Sequence, residues 1–95
     1  MTSLAFLTEL EAVIRQRIES PPEGSYTAEL LAAGPSRIAQ KLGEEGVELA
    51  LASVTGNDYD VRNEAADLLY HLLVLLNARG LSLADVVTTL ESRQR

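Results

Sequence analysis

The chain has no cysteine, which excludes disulfides and thiolate-held metal centres and suits a reducing compartment. Aromatic residues are scarce: Phe6 and three tyrosines are all there are, so Leu, Ala and Val must build the core. Positive charge is scarce too. Eight Lys and Arg against fourteen Asp and Glu leave a net charge of −6, which argues against non-specific binding to nucleic acid or to an anionic membrane. Long apolar runs are missing; the longest uncharged stretch, Leu68 to Ala78, is too short to span a bilayer. The N-terminus lacks a basic start, and Glu9 and Glu11 interrupt its early apolar residues, so no signal peptide is expected. Nor is there a strand pattern, an internal repeat or a low-complexity segment. Ninety-five residues suit one domain, expected over 1–95 as a soluble, cytoplasmic protein.

What is present is helical periodicity. Leu4, Leu7, Leu10, Ile14 and Ile18 recur at helical spacing behind a capping residue, Ser3, and "SPPEGS" stops the pattern. "YTAELLAAGP" reads as a short helical turn ended by Gly34 and Pro35. A second long helix is expected from a cap at Ser36 to Gly56, with Ile38, Leu42, Leu49 and Val54 as its apolar positions. "NDYD" is a turn and helix start, with Asp58 and Asp60 as capping residues. It leads into "VRNEAADLLYHLLVLLNARG", closed by Arg79 and Gly80. A last helix opens at Ser82, with Asp85 three residues on as in a capping box, and frays at its charged end. The expected fold is all-α: a helical bundle of four helices plus a short turn. The third long helix is apolar on nearly every side from Ala65 to Leu76 and must be covered all round. One small subunit can hardly do so, and a homodimer using this helix is expected; a compact monomer with the helix at its centre is the alternative.

That greasy helix carries Glu64, Asp67 and His71. Half of the fourteen acids lie between Glu44 and Asp67, where Arg62 is the sole base. Glu45 and Glu48 are three apart, as are Glu64 and Asp67, so each pair shares one helix face. Two such helices packed antiparallel would bring four carboxylates together. Bare, the cluster repels itself; a divalent cation reverses the argument. An all-oxygen donor set is hard and favours Mg²⁺ or Mn²⁺ over zinc or copper. His71, one turn beyond Asp67, could orient a carboxylate or water, or donate to a substrate oxygen. A Glu-x-x-His di-iron site fits poorly, because Glu48 and Asp67 fill the slots where its histidines belong.

Plainer readings stand beside these. Glu44, Glu45 and Glu48 also suit a solvated helix face, Lys41 and Glu45 a surface i,i+4 pair, and His71 a hydrogen-bonded core residue. Two further features flank the acids. Arg37 and Lys41, four apart, are cations suited to gripping the phosphate oxygens a metal leaves free. Gly43 and Gly46 lie inside a helix, where each costs about 1 kcal/mol relative to Ala. Close approach of a ligand or simple helix packing explains them about equally well.

The pattern Glu45-x-x-Glu48 followed by Glu64-x-x-Asp67 resembles the signature of the MazG-type all-α nucleoside triphosphate pyrophosphohydrolases. With "SYTAELLAAGPSRIAQKLGEEGVELALA" and "EAADLLYHLLVLLNARGLSLADV" in order, the chain more closely resembles the phosphoribosyl-ATP pyrophosphatases of histidine biosynthesis, over Ser25 to Val86. The resemblance implies a dimeric four-helix core, Mg²⁺ dependence, and hydrolysis of phosphoribosyl-ATP to phosphoribosyl-AMP and pyrophosphate. It implies Glu45, Glu48, Glu64 and Asp67 as metal ligands. Glu44 would bind a further ion or position water, Arg37 and Lys41 would hold phosphates, and the segment with Tyr26 and Thr27 would border the substrate. Glu29 stands where a basic or neutral residue is expected in many relatives, and the N-terminal helix carries no matching motif. Some members are fused to a cyclohydrolase domain, for which no room is expected ahead of the matched block.

The chemistry agrees with the resemblance. Cleavage between the α and β phosphates needs charge neutralised on both sides of the broken bond, which Mg²⁺ can supply. Glu44 or Glu48 is the expected proton acceptor from the attacking water. The alternatives are a housecleaning pyrophosphatase acting on another nucleotide and a non-catalytic helical dimerisation module.

Overall fold

The computed structural model describes residues 3–94. Five helices follow one another: α1 (Phe6–Glu19), α2 (Tyr26–Ala33), α3 (Pro35–Thr55), α4 (Asp58–Ala78) and α5 (Leu83–Ser92). No strand occurs among the described residues, and no single helix there is long and apolar enough to cross a membrane.

Local chemistry sets most of the boundaries. Ser25 caps α2 by accepting from the Ala28 N–H, and the expected short turn is a full eight-residue helix. Asn57 and Asp60 form a reciprocal capping box at the start of α4, and Ser82 and Asp85 form another at α5. Two starts differ from expectation. Helix α1 is preceded by Ala5 with no side-chain cap, while Ser3 accepts from the Ala5 N–H one turn early. Helix α3 begins at Pro35 behind Gly34, so Ser36 lies within its first turn rather than at its cap. Proline tolerates that position because it has no N–H to leave unsatisfied.

Helices α3 and α4 make the most extensive helix–helix contact, as an antiparallel hairpin joined through Gly56 and Asn57. The joint is tight. A Cβ on Gly56 would lie 2.9 Å from the Ala52 carbonyl oxygen and 3.1 Å from Asp60, so only glycine fits without a backbone shift.

The core gathers at the far end of this hairpin. Ile14, Leu30, Ile38, Leu73 and Val74 are buried together, with Leu7, Leu10, Leu31, Tyr70, Leu75 and Leu83 packed against them. Helices α1 and α2 therefore cover the C-terminal half of α4 and the start of α3. The hairpin tip is left uncovered: Val47, Leu51 and Val54, at helical i, i+4, i+7 spacing, are exposed, as is Tyr59. Val54, one of the apolar positions that marked α3 in the sequence, is 82% exposed.

A buried polar network ties the ends together, and its centre, Glu11, belongs to no motif. Glu11 is 6% exposed. The Oε2 atom accepts from the Leu83 N–H at 2.9 Å and from Asn77 Nδ2 at 3.1 Å. Asn77 Nδ2 also donates to the Leu73 carbonyl at 2.8 Å, and Arg15 donates to Asn77 Oδ1 at 3.2 Å. Glu11 thus binds an otherwise free N–H in the first turn of α5, where negative charge is also favoured by the helix dipole. Glu11→Ala removes a charged acceptor and strands a buried amide. It is expected to lower stability by about 1.5–3 kcal/mol in urea denaturation, with hydrogen exchange rising first in α5.

Candidate active site

The hairpin brings three carboxylates to one place. One oxygen each from Glu45, Glu48 and Glu64 lies within 4.8 Å of the other two. Glu45 is buried, Glu64 half-buried and Glu48 exposed, so the cluster opens to solvent on the Glu48 side. Glu45 Oε2 and Glu64 Oε2 are buried without a hydrogen-bond partner. Buried carboxylate oxygens rarely go unpaired, because the lost hydration is not returned. Three carboxylates gathered in this way, two of them carrying an unpartnered buried oxygen, fit a divalent cation such as Mg²⁺ or Mn²⁺.

Asp67, the fourth expected ligand, is exposed, and its carboxylate lies outside this group of three. It is on the same face of α4 as Glu64, one turn along. Its main-chain carbonyl, rather than its side chain, is engaged by His71 Nδ1 at 2.7 Å.

Cations line one edge. Lys41 Nζ lies 3.5 Å from Glu44 Oε1 and 3.6 Å from Glu45 Oε1, so it offsets part of the cluster's charge. Burial alone would lower the pKa of this ammonium, but Tyr26, Glu44 and Glu45 outweigh it and hold it above the usual lysine value. Glu44 is exposed and points along the outer side of α3, where Gln40 Nε2 donates to its Oε2 at 3.2 Å. That hydrogen bond, with the charges of Lys41 and Arg37, holds the Glu44 carboxyl below the ordinary carboxylate range. Arg37 is exposed one turn before Lys41. Gln40 belongs to none of the expected site residues, although its position four residues before Glu44 is the spacing that makes the contact.

The first turn of α2 forms another edge. Tyr26 hydrogen-bonds His71 Nε2 at 2.9 Å, and the Thr27 hydroxyl hydrogen-bonds the Tyr70 hydroxyl. The rings of Tyr26, Tyr70 and His71 meet edge-on or tilted, with centroids 5.1 to 6.3 Å apart, a favourable range for aromatic packing. In the sequence Tyr70 is merely one more residue of an apolar helix, and nothing local marks it as a partner of Thr27. His71 is buried with both ring nitrogens engaged inside the protein, so it has none left for a substrate oxygen.

Of the two helical glycines, Gly46 is not tightly packed: a methyl group there would make an ordinary contact, 3.9 Å from Leu68 Cδ1. Gly43 faces open space. Packing within the chain requires neither. Gly43 instead lines an open cleft of about 660 Å³ with Gln40, Glu44, Val47 and Glu48.

The chain is similar to known sequences over almost its whole length. The profile of the phosphoribosyl-ATP pyrophosphohydrolase family covers residues 7–94. The chain belongs to that family. It is 58% identical over 90 residues to the histidine biosynthesis bifunctional protein HisIE of Xylella fastidiosa, covering 95% of this chain and 44% of the relative. It is 51% identical over 90 residues to the protein of the same name from Escherichia coli, with the same two coverages. Against that from Vibrio cholerae it is 47% identical over 94 residues, 99% of this chain and 45% of the relative. The chain therefore spans less than half the length of these relatives. The family match takes in all of α1 but Phe6, and with it Glu11 and Arg15, ahead of the motif-bearing blocks.

Glu45→Gln removes one of the repelling charges and keeps the shape. The metal-free protein is expected to melt at the same or a higher temperature after this change, as read by circular dichroism with chelator present.

Proposed function

We propose that the domain is a Mg²⁺-dependent phosphoribosyl-ATP pyrophosphohydrolase, releasing phosphoribosyl-AMP and pyrophosphate, and that it works as a cytoplasmic homodimer. The observation that carries this reading is the gathering of Glu45, Glu48 and Glu64, two of which carry a buried, unpartnered oxygen, on the hairpin of a family named for that reaction. Glu45, Glu48 and Glu64 would hold the cation, joined by Asp67 through rotation of its exposed side chain. Bound there, Mg²⁺ supplies charge neutralisation across the α–β phosphate bond as water attacks.

The remaining groups act by position. Lys41 and Arg37 offer positive charge to phosphate oxygens at the edge of the carboxylates. Glu44 and Glu48 are the candidate proton acceptors, both exposed beside the open cleft where water and substrate arrive. Tyr26 and Thr27 border the substrate from α2.

The homodimer is supported by the uncovered tip of the hairpin. Val47, Leu51, Val54 and Tyr59 are exposed there, and full burial of such side chains is worth about 1.5–3 kcal/mol each. A partner subunit covering this stripe would also enclose the cleft that Gly43 and Val47 line. Light scattering is expected to show a dimer at micromolar concentration, and Val47→Glu with Leu51→Glu to shift it towards monomer. A monomer at all concentrations would remove the dimer from the proposal.

Two measurements test the chemistry. Mg²⁺ should raise the melting temperature, since ligation at a hundred times Kd stabilises by about 2.7 kcal/mol, and Glu45→Gln should abolish that rise. Incubation with phosphoribosyl-ATP, dATP and dUTP should release pyrophosphate chiefly from the first. Glu45→Gln, Glu64→Gln and Asp67→Asn should each cut turnover by about a hundredfold or more, beyond the loss from residues that merely support a ligand. Near-normal turnover in two of the three, or preference for a plain deoxynucleotide, counts against the assignment.

A further inference from the structure

His71 is the chain's sole histidine and is 5% exposed. Its Nδ1 lies 2.7 Å from the Asp67 carbonyl oxygen. A carbonyl has only lone pairs to offer, so the proton of that bond sits on Nδ1. In the neutral imidazole Nε2 then has only a lone pair, and it lies 2.9 Å from the Tyr26 hydroxyl. Towards the neutral ring Tyr26 is therefore the donor. A phenol has one proton, and once that proton is given to His71 the oxygen can only accept.

Recognition is constrained by that direction. Phosphate oxygens are acceptors, and two acceptors cannot hydrogen-bond each other. Tyr26 is 48% exposed, and its hydrogen bond to His71, whose ring is anchored on the Asp67 carbonyl, places it at the Asp67 edge of the site but unable to hold phosphate. The donors of a nucleotide nearest to its phosphates are its sugar hydroxyls. The Thr27–Tyr70 hydrogen bond and the edge-on rings of Tyr70 and His71 clamp the same turn of α2 onto α4, so the hydroxyl is held and not free to rotate.

We propose that His71 is a positioning residue, held as the Nδ1–H tautomer by the Asp67 carbonyl, which turns the Tyr26 hydroxyl into an outward-facing acceptor for a ribose hydroxyl of the nucleotide. The proposal deepens the pyrophosphohydrolase reading and rests on it for the substrate's chemistry. It separates two functions at this edge of the site: Lys41 and Arg37 meet phosphate, and Tyr26 selects the sugar. An acceptor whose direction is fixed in this way favours ligands that carry the matching donor.

A tag-free, ¹⁵N-labelled chain gives a single set of imidazole signals, because there is one histidine. Long-range ¹H–¹⁵N correlation at neutral pH is expected to show a protonated Nδ1 and an unprotonated, hydrogen-bonded Nε2. In Tyr26→Phe the Nε2 signal should move to its unbonded position while Nδ1 stays protonated. A proton on Nε2 in the wild type overturns the proposal. For recognition, calorimetry in Mg²⁺ compares AMP with inorganic pyrophosphate as probes. Tyr26→Phe should weaken AMP roughly five- to tenfold, the worth of one hydrogen bond, and leave pyrophosphate unchanged. Equal weakening of both overturns the sugar contact. His71→Gln, whose amide oxygen can still accept from Tyr26, should retain more AMP affinity than His71→Leu; equal losses in two folded variants overturn the positioning role. Should the chain fail to cleave phosphoribosyl-ATP while the spectra and the AMP effect hold, the reaction assignment fails and the Tyr26–His71 relay stands.

Discussion

Like charges held close in a half-dry crevice are the constraint on which the rest of this protein turns. Glu45 and Glu64 face each other across the α3–α4 hairpin, each with an oxygen that bonds to nothing in the chain. A fold that keeps such groups must hold them from elsewhere. It does so with a tight joint at Gly56 and a core packed around the opposite end of the hairpin. The site sits between these two anchors, so its geometry is set by main chain that other contacts hold in place rather than by the acids themselves.

The division of labour along α4 follows. Its C-terminal half supplies Leu73 and Val74 to the core and Asn77 to the Glu11 network. Its N-terminal half supplies Glu64 to the acid cluster and the Asp67 carbonyl to His71. One helix apolar on almost every side can carry both because α1 and α2 shield one end, while the other is left bare. Helix α2 joins the two regions: Leu30 enters the core, and four residues earlier Tyr26 reaches the site. A change in core packing under α2 would therefore be felt at the Tyr26 hydroxyl.

The charge on Lys41 has a related logic. Two carboxylates flank it, and their charge favours the ammonium form.

Much of this was legible in the residue order because it depends on near neighbours. The part of Asp60 in capping α4, the capping box of Ser82 with Asp85, the stop at Gly34, and the shared face of Glu45 with Glu48 are contacts within four residues, which helical geometry dictates once the helix is assumed. The all-α class and the acid pairs followed from that. Contacts across the chain did not. Glu11 reaches Leu83, seventy-two positions away, through a bond that no local spacing announces. That Glu48, and not Asp67, lies with Glu45 and Glu64 depends on how the two helices are rotated about each other. The hydrogen-bonding direction of Tyr26 depends on a carbonyl on α4. Periodicity specifies which side chains share a face. Where that face points, and what stands opposite it, is settled only when separate helices pack.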